Sequence, residues 1–146
     1  ICSNQGILSV YDAATGERHT LQTIFPTNHL RYGATDRLGW SNLRDIMAEA
    51  RWPLRRRMSL THGVHLPSLA DGRDALYSRN GQAIVINPNA TSTYVGTELY
   101  LLLEAEVTRH WSVGSGVAHL FHGGFLRQSG RPGGTTQPYL YLTGKF

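Results

Sequence analysis

The sequence predicts an all-β fold, an antiparallel transmembrane β-barrel, and three observations predict it. The first is the stretch from Thr97 to Thr108. Thr97, Leu99, Leu101, Leu103, Ala105 and Val107 fall on one side of a period-two pattern, and Glu98, Tyr100, Leu102, Glu104, Glu106 and Thr108 on the other. A helix would put Glu98, Leu102 and Glu106 on one side and mix the faces. The stretch is long for a soluble strand, where about 5 to 6 residues is usual, and suits a tilted bilayer-crossing strand, which needs about 9 to 11. Its glutamates require water on one face and its leucines require something apolar on the other. The second observation is composition. Charged residues make up 16% of the 146-residue chain, against about 25% in ordinary soluble proteins, yet no window holds about 18 unbroken apolar residues. A barrel spreads its apolar residues over alternate positions and reconciles the two. The third is an alternation of short and long connections between the candidate strands, as in outer-membrane barrels.

The elements follow in order. Gly6 to Ala14 reads as a strand ended by Thr15-Gly16, and residues 17–41, broken by Pro26, Gly33 and Gly39, as a long loop. Asn42 to Trp52 alternates, with Ile46, Ala48, Ala50 and Trp52 facing one way and Asp45, Met47, Glu49 and Arg51 the other. Pro53 to Arg57 reads as a tight turn. Met58 to Leu66 carries Met58, Leu60, Val64 and Leu66 on its apolar face, with His62 interrupting it. Residues 67–95 read as a long loop with turn signals at Asp71-Gly72, Asn80-Gly81 and Asn87-Pro88, and with a short strand at 83–86. After the Thr97 strand and a short turn at Arg109-His110, Trp111 to Phe121 rises with Val113, Val117, His119 and Phe121 on one face and Ser112, Gly114, Gly116 and Ala118 on the other. A Gly-rich loop runs to Gln137. The chain ends with Leu140, Leu142 and Phe146 opposite Tyr139, Tyr141, Thr143 and Lys145. Trp52 and Trp111 flank the short turns, where an aromatic belt meets the membrane surface, and Trp40 lies at the opposite end of its strand. A soluble antiparallel barrel or sandwich with core tryptophans fits the same alternation.

Other classes find less support. The net charge of +4 rests largely on Arg55, Arg56 and Arg57, which read as a solvated turn, and no aromatic-basic interleaving typical of nucleic-acid platforms is present. The single cysteine, Cys2, precludes an intrachain disulfide. Ile1 in place of a starter methionine reads as a processed or truncated N-terminus. The 7 histidines lack metal-ligand spacing, because His62 and His65 lie on opposite faces of a strand. No metal or other cofactor is expected. No nucleophile-elbow motif Gly-x-Ser-x-Gly is present, and Gly114 to Gly116 lacks the helix a phosphate loop needs.

The segment Gly116-Val-Ala-His-Leu-Phe-His-Gly-Gly-Phe-Leu126, a Gly-rich loop, and Tyr139-Leu-Tyr-Leu-Thr-Gly-Lys-Phe146 resemble the C-terminal end of the alginate-export family of outer-membrane β-barrels. Upstream, Tyr11-Asp-Ala-Ala-Thr-Gly16, Phe25-Pro26, His29, Asp36, Gly39-Trp40, Asn42-Leu-Arg-Asp45, Asp71, Arg73-Asp-Ala-Leu-Tyr77 and Gly96-Thr-Glu-Leu99 resemble the same family in the same order. Two positions depart: His122 stands where the family often has proline, and Gly144 where an aromatic is common. The resemblance implies a barrel of many more strands than the about six read here, and bacterial single-chain barrels begin at about eight. The chain is therefore expected to be one incomplete barrel segment spanning 1–146, the C-terminal part of a larger barrel. It would need N-terminal strands, or other copies of itself, to close.

In a barrel, function resides in the lining. The inward candidates are Arg44, Asp45, Glu49, Arg51, Glu98, Tyr100, Glu104, Glu106, Tyr139, Tyr141 and Lys145. The resemblance implies a bacterial outer-membrane channel, surrounded by lipid, that exports a hydrophilic solute. An anionic polysaccharide such as alginate is the solute it suggests, guided by cations such as Arg51 and Lys145 and by Arg44 at the rim. Paired charges that brace the wall, and tyrosines that pack rather than stack on sugars, account for the same residues. Three alternatives stay open: a general porin-type diffusion channel, a soluble ligand-binding β-barrel, and a barrel-embedded lipid hydrolase using His119 or His62 with a serine.

Overall fold

A computed structural model describes residues 33–35 and 37–146, together with the backbone of two short paired strands, β1 (Val10–Tyr11) and β2 (Arg18–His19). The remainder of the first expected strand and most of the 17–41 loop lie outside the described residues.

One five-stranded antiparallel sheet dominates, formed by β4 (Met47–Arg55), β5 (Met58–His65), β9 (Gly96–Glu106), β10 (Trp111–His122) and β11 (Gly134–Gly144) in the order β11-β10-β9-β5-β4. Each strand pairs with its neighbours in sequence order, so the sheet is a meander. Continuous registers fix the facing. Leu101 lies beside His62 on β5 and Val117 on β10, while Tyr100 lies beside Gly63 and Ala118. Among the described residues, β4 and β11 are paired on one side only.

The outer face is mainly apolar, interrupted by His62, Ser115, His119 and Thr136. Leu99, Leu101 and Leu103 are 47%, 46% and 39% exposed, and Val117, Phe121, Leu140 and Leu142 are exposed beside them. On the opposite face of β9, Glu98, Tyr100 and Leu102 are all buried. The covered face is thus the one carrying charges, the inverse of a soluble domain, whose apolar face is hidden. Trp52 and Trp111 are exposed on the outer face at the short-turn end. Trp52 stacks on His62 with ring centroids 6.3 Å apart, which gives that histidine an aromatic partner on an otherwise apolar face. Trp111 meets Phe146 edge to face at 6.1 Å. The Trp111 ring lies over Gly144, so the missing aromatic at that position is replaced from the neighbouring strand.

The long connections build a second layer at the other end. Within it β3 (Leu43–Arg44) pairs with β6 (Ser68–Leu69), β7 (Leu76–Tyr77) pairs with β8 (Ala83–Val85), and α1 (Gly124–Gln128) follows β10. Leu43, Leu69, Leu76, Val85, Val95 and Phe125 form its core, with Phe125 fully buried. Asn42, in the left-handed region at φ 55°, clamps the layer. Its side-chain amide donates to the carbonyls of Asp71 at 2.8 Å and Ala75 at 3.1 Å, and its oxygen accepts from the Asp71 N–H at 2.7 Å.

Four boundaries differ from the expectation. The expected strand Asn42 to Trp52 breaks at Asp45-Ile46, where the Asp45 carboxylate and the Ile46 carbonyl both accept from the Leu66 N–H, at 3.1 Å and 2.9 Å, at the end of β5. β4 instead continues through Pro53 to Arg55, leaving only Arg56-Arg57 as the turn. Proline is tolerated there because it adjoins a register shift between Pro53 and Arg55, where the regular ladder is interrupted. The 67–95 loop holds the three short strands β6, β7 and β8. β11 starts at Gly134, ahead of the expected Pro138, because Thr135 and Thr136 pair with Leu120 and His119 without any apolar signal in the sequence.

Candidate functional site

The inner face gathers Glu49 and Arg51 from β4, Ser59, Thr61, Gly63 and His65 from β5, Glu98, Tyr100 and Glu104 from β9, Gly114, Gly116 and Ala118 from β10, and Tyr139 and Tyr141 from β11. Each tyrosine lies across a glycine of the next strand: Tyr100 over Gly63, Tyr139 over Gly116 and Tyr141 over Gly114. A Cβ at Gly63 or Gly116 would fall 2.5 Å from the facing ring. The glycines therefore provide the space that lets the rings lie flat along the wall, and the rings cover backbone that glycine leaves bare.

The Tyr100 and Tyr141 hydroxyls join the charged groups in two clusters across the sheet. Arg51 pairs with Glu104 at 3.2 Å and donates to the Ser59 hydroxyl at 2.9 Å. Tyr141 donates to Glu104 at 2.8 Å, and Tyr100 donates to Glu49. The Arg51 side chain is 62% exposed, so its pair with Glu104 contributes about 0 to 1 kcal/mol and leaves the guanidinium facing solvent. At the loop end, Glu98 is buried to 1% and holds a segment of the preceding connection against the wall. Its carboxylate accepts from the Ala34 N–H, the Thr35 N–H at 3.3 Å and the Thr35 hydroxyl. Ala34 packs on Tyr100, Ala118 and Tyr139. Beside it, His65 bonds to Asp45, whose other oxygen accepts from the Leu66 N–H at 3.1 Å.

The structure thus brings together Glu49, Arg51, Glu98, Tyr100, Glu104, Tyr139 and Tyr141. Arg44 lies apart, exposed on β3 in the loop layer, and Asp45 sits between β3 and β4 at the upper rim. Glu106 ends β9 in an exposed position, and Lys145 follows the end of β11, exposed, its N–H donating to the His110 carbonyl at 2.8 Å. Glu98 does not face open water, contrary to the alternation argument, because residues 33–35 cover it. Thr35, Ala34 and His65 were not foreseen, since no local pattern marks a loop that returns onto a sheet some 60 residues away. On the outer face, His119 bonds to the Thr136 hydroxyl at 2.7 Å and packs on Phe121 at 4.3 Å. The hydroxyl at its side is therefore a threonine from β11, and the hydrolase alternative called for a serine.

The dominant element is thus a long antiparallel sheet with one exposed, mainly apolar face and one charged, tyrosine-lined face. The alginate export family matches residues 11–138, and the chain belongs to that family. It is a family of outer-membrane transport channels of Gram-negative bacteria. No curated protein matches the sequence.

Proposed function

We propose that this sheet is part of the wall of an outer-membrane β-barrel channel that exports an anionic polysaccharide such as alginate. The observation that carries the reading is the two-faced sheet. Its outer rows of leucine, valine and phenylalanine suit acyl chains, and its inner rows suit a hydrated solute. Further strands, or other copies of the chain, close the barrel through the edges of β4 and β11, since unpaired backbone groups inside a bilayer are too costly to persist.

Charge selectivity follows from which inner groups are committed to structure. Glu98 is consumed by the Ala34-Thr35 segment, Glu49 by Tyr100, and Glu104 by Arg51 and Tyr141. Arg51, mostly exposed, presents its guanidinium to the lumen, with Arg44 and Lys145 toward the two rims. In a narrow pore such cations lower the barrier to anions more than they would in bulk water. The test is the reversal potential of the full-length barrel in a planar bilayer under a salt gradient. Anion preference, moved toward cations by the double change Arg51→Ala and Lys145→Ala, supports the reading. Cation preference unaffected by those changes replaces it with a general porin, and a monodisperse monomer in plain buffer replaces it with a soluble barrel.

A further inference from the structure

The connections at the short-turn end bring five cations to one rim. Arg55 ends β4, Arg56 and Arg57 form the turn into β5, Arg109 lies in the turn between β9 and β10, and Lys145 follows β11. All five are exposed, and the connections adjoin: the Glu106 N–H donates to the Arg57 carbonyl at 2.9 Å and the Lys145 N–H to the His110 carbonyl at 2.8 Å. Among the described residues, Glu106 is the one carboxylate side chain flanking these turns, and none of the five cations is ion-paired. We propose that this rim binds the headgroups of anionic phospholipids in the leaflet that meets the short turns, a reading that rests on the sheet being part of a membrane wall.

Three arginines in a row read as a solvated turn, and the sheet changes that reading by setting Arg109 and Lys145 on the same rim, directly beyond an aromatic row. Trp52 lies three residues before Arg55 on β4, and Trp111 pairs with Gly144, the residue before Lys145. Both tryptophans are exposed on the outer face, and Phe146 packs edge to face on Trp111. At about 3.3 Å per residue and a tilt near 45°, three residues rise about 7 Å along the bilayer normal. The headgroup layer on each side of the hydrocarbon is about 5 to 7 Å thick. With the tryptophans at the hydrocarbon boundary, the cations beyond them therefore reach the level of the lipid phosphates. Clustered Lys and Arg beside a membrane-embedded segment attract anionic lipid, and arginine meets a phosphate through two parallel N–H···O bonds.

Arg109 is set for this role before any lipid arrives. Its Nε donates to His110 Nε2 at 2.8 Å. A guanidinium N–H is always a donor, so His110 Nε2 accepts, and Nδ1 donates to the Lys145 carbonyl at 3.1 Å. The Thr108 hydroxyl accepts from the His110 and Trp111 N–H groups, each at 3.1 Å, and closes the turn. Among the described residues, the terminal nitrogens of Arg109 are left for a partner outside the sheet. An acidic protein or a soluble polyanion would satisfy the charges and leave the tryptophans without an apolar partner. A phospholipid offers a phosphate to the cations and acyl chains to the aromatic row beside them.

The test is quenching of tryptophan fluorescence by brominated lipid, in vesicles that hold the full-length barrel with Trp111 as its sole tryptophan. Vesicles of phosphatidylcholine and phosphatidylglycerol carry the bromine on one lipid or the other, and the two quenching curves give the relative affinity of the lipids beside Trp111. The native rim is expected to favour phosphatidylglycerol by at least about fivefold at low salt. The preference should shrink at about 1 M salt, where the screening length is about 3 Å. The triple substitution Arg56→Gln, Arg57→Gln and Arg109→Gln should bring the ratio below about twofold, with heat-modifiable migration on gels confirming that the variant has folded. A ratio below about twofold with the native rim, or a ratio unchanged by the triple substitution, overturns the site and leaves the wall in place. Quenching by neither brominated lipid overturns the wall as well. A preference abolished by poly-L-glutamate at matched ionic strength overturns the lipid in favour of an acidic protein partner.

Discussion

Substituting Leu101 by arginine tests the lipid-facing assignment in energetic terms. Leu101 is the central residue of β9, which runs for 11 residues from Gly96 to Glu106. At about 3.3 Å per residue and a tilt near 45°, such a strand spans about 25 Å along the bilayer normal, the height of the apolar band of a barrel. Leu101 therefore sits near the midplane, about 12 Å from either surface. Its in-register neighbours are His62 and Val117, and the diagonal positions are Leu60, Val64, Ser115 and His119, so no carboxylate is placed to pair with the new charge. Arginine at this depth should cost about 2 to 4 kcal/mol. Ala105 lies four residues further along the same row, about 9 Å closer to the surface, and arginine there should cost about 0 to 1 kcal/mol. The assay is urea-dependent folding of the full-length barrel into lipid vesicles, followed by tryptophan fluorescence and gel mobility. A soluble sheet would tolerate both substitutions about equally, since both positions would be wetted by water. Equal costs at 101 and 105, or a cost at 101 below about 0.5 kcal/mol, would refute the reasoning.

Three further outcomes are expected. Gly116→Val should displace the Tyr139 ring from the wall and destabilise the barrel by about 1 to 3 kcal/mol, whereas Ser112→Val, on the same face of the strand but away from any tyrosine, should cost less than about half as much in the same folding assay. Phe125→Ala should remove the centre of the loop-layer core at a local cost of about 3 to 5 kcal/mol. Hydrogen exchange would then rise in residues 66–95 and 123–133 while β9 and β10 stay protected; uniform exchange across the sheet would contradict separate cores. Glu98→Ala should release the segment at 33–35 from the inner wall, and single-channel conductance should rise if that segment narrows the pore; unchanged conductance would confine Glu98 to a bracing role.

Much of the sheet was legible because alternation survives wherever one face must be apolar. β9, β5 and β10 each keep that pattern, and even the histidines that break it, His62 and His119, acquire partners from adjacent strands. The edges were less legible. Pro53 suggested a turn because proline interrupts a regular ladder, and only the pairing reveals the register shift beside it that accommodates the ring. The start of β11 was invisible because Gly134 to Gln137 pair through backbone with no side-chain rhythm. For the inner face, the period of two groups Glu49, Arg51, Tyr100, Glu104, Tyr139 and Tyr141, and the strand registers set them on one face of the sheet. It could not show which carboxylates would be engaged. Glu98 and Glu106 look alike in the sequence, yet one is buried under Thr35 and the other ends its strand exposed. Leu102 likewise shares the parity of the glutamates and is buried at 2% between Thr61 and Gly116. The basic rim was legible only in part, since Arg55 to Arg57 stand together in the chain whereas Arg109 and Lys145 join them only through the sheet.

A nitroxide scan of residues 97–107 in lipid vesicles measures directly whether the sheet separates lipid from water. Single cysteines are introduced in a full-length protein whose Cys2 has been changed to serine, and each label is challenged with oxygen, which concentrates in lipid, and with a polar nickel chelate. A lipid-facing row gives oxygen accessibility that peaks at 99, 101 and 103 and falls at 98, 100 and 102, with its maximum near 101. Oxygen accessibility without a period of two, or chelate accessibility that peaks at 99, 101 and 103, would contradict it.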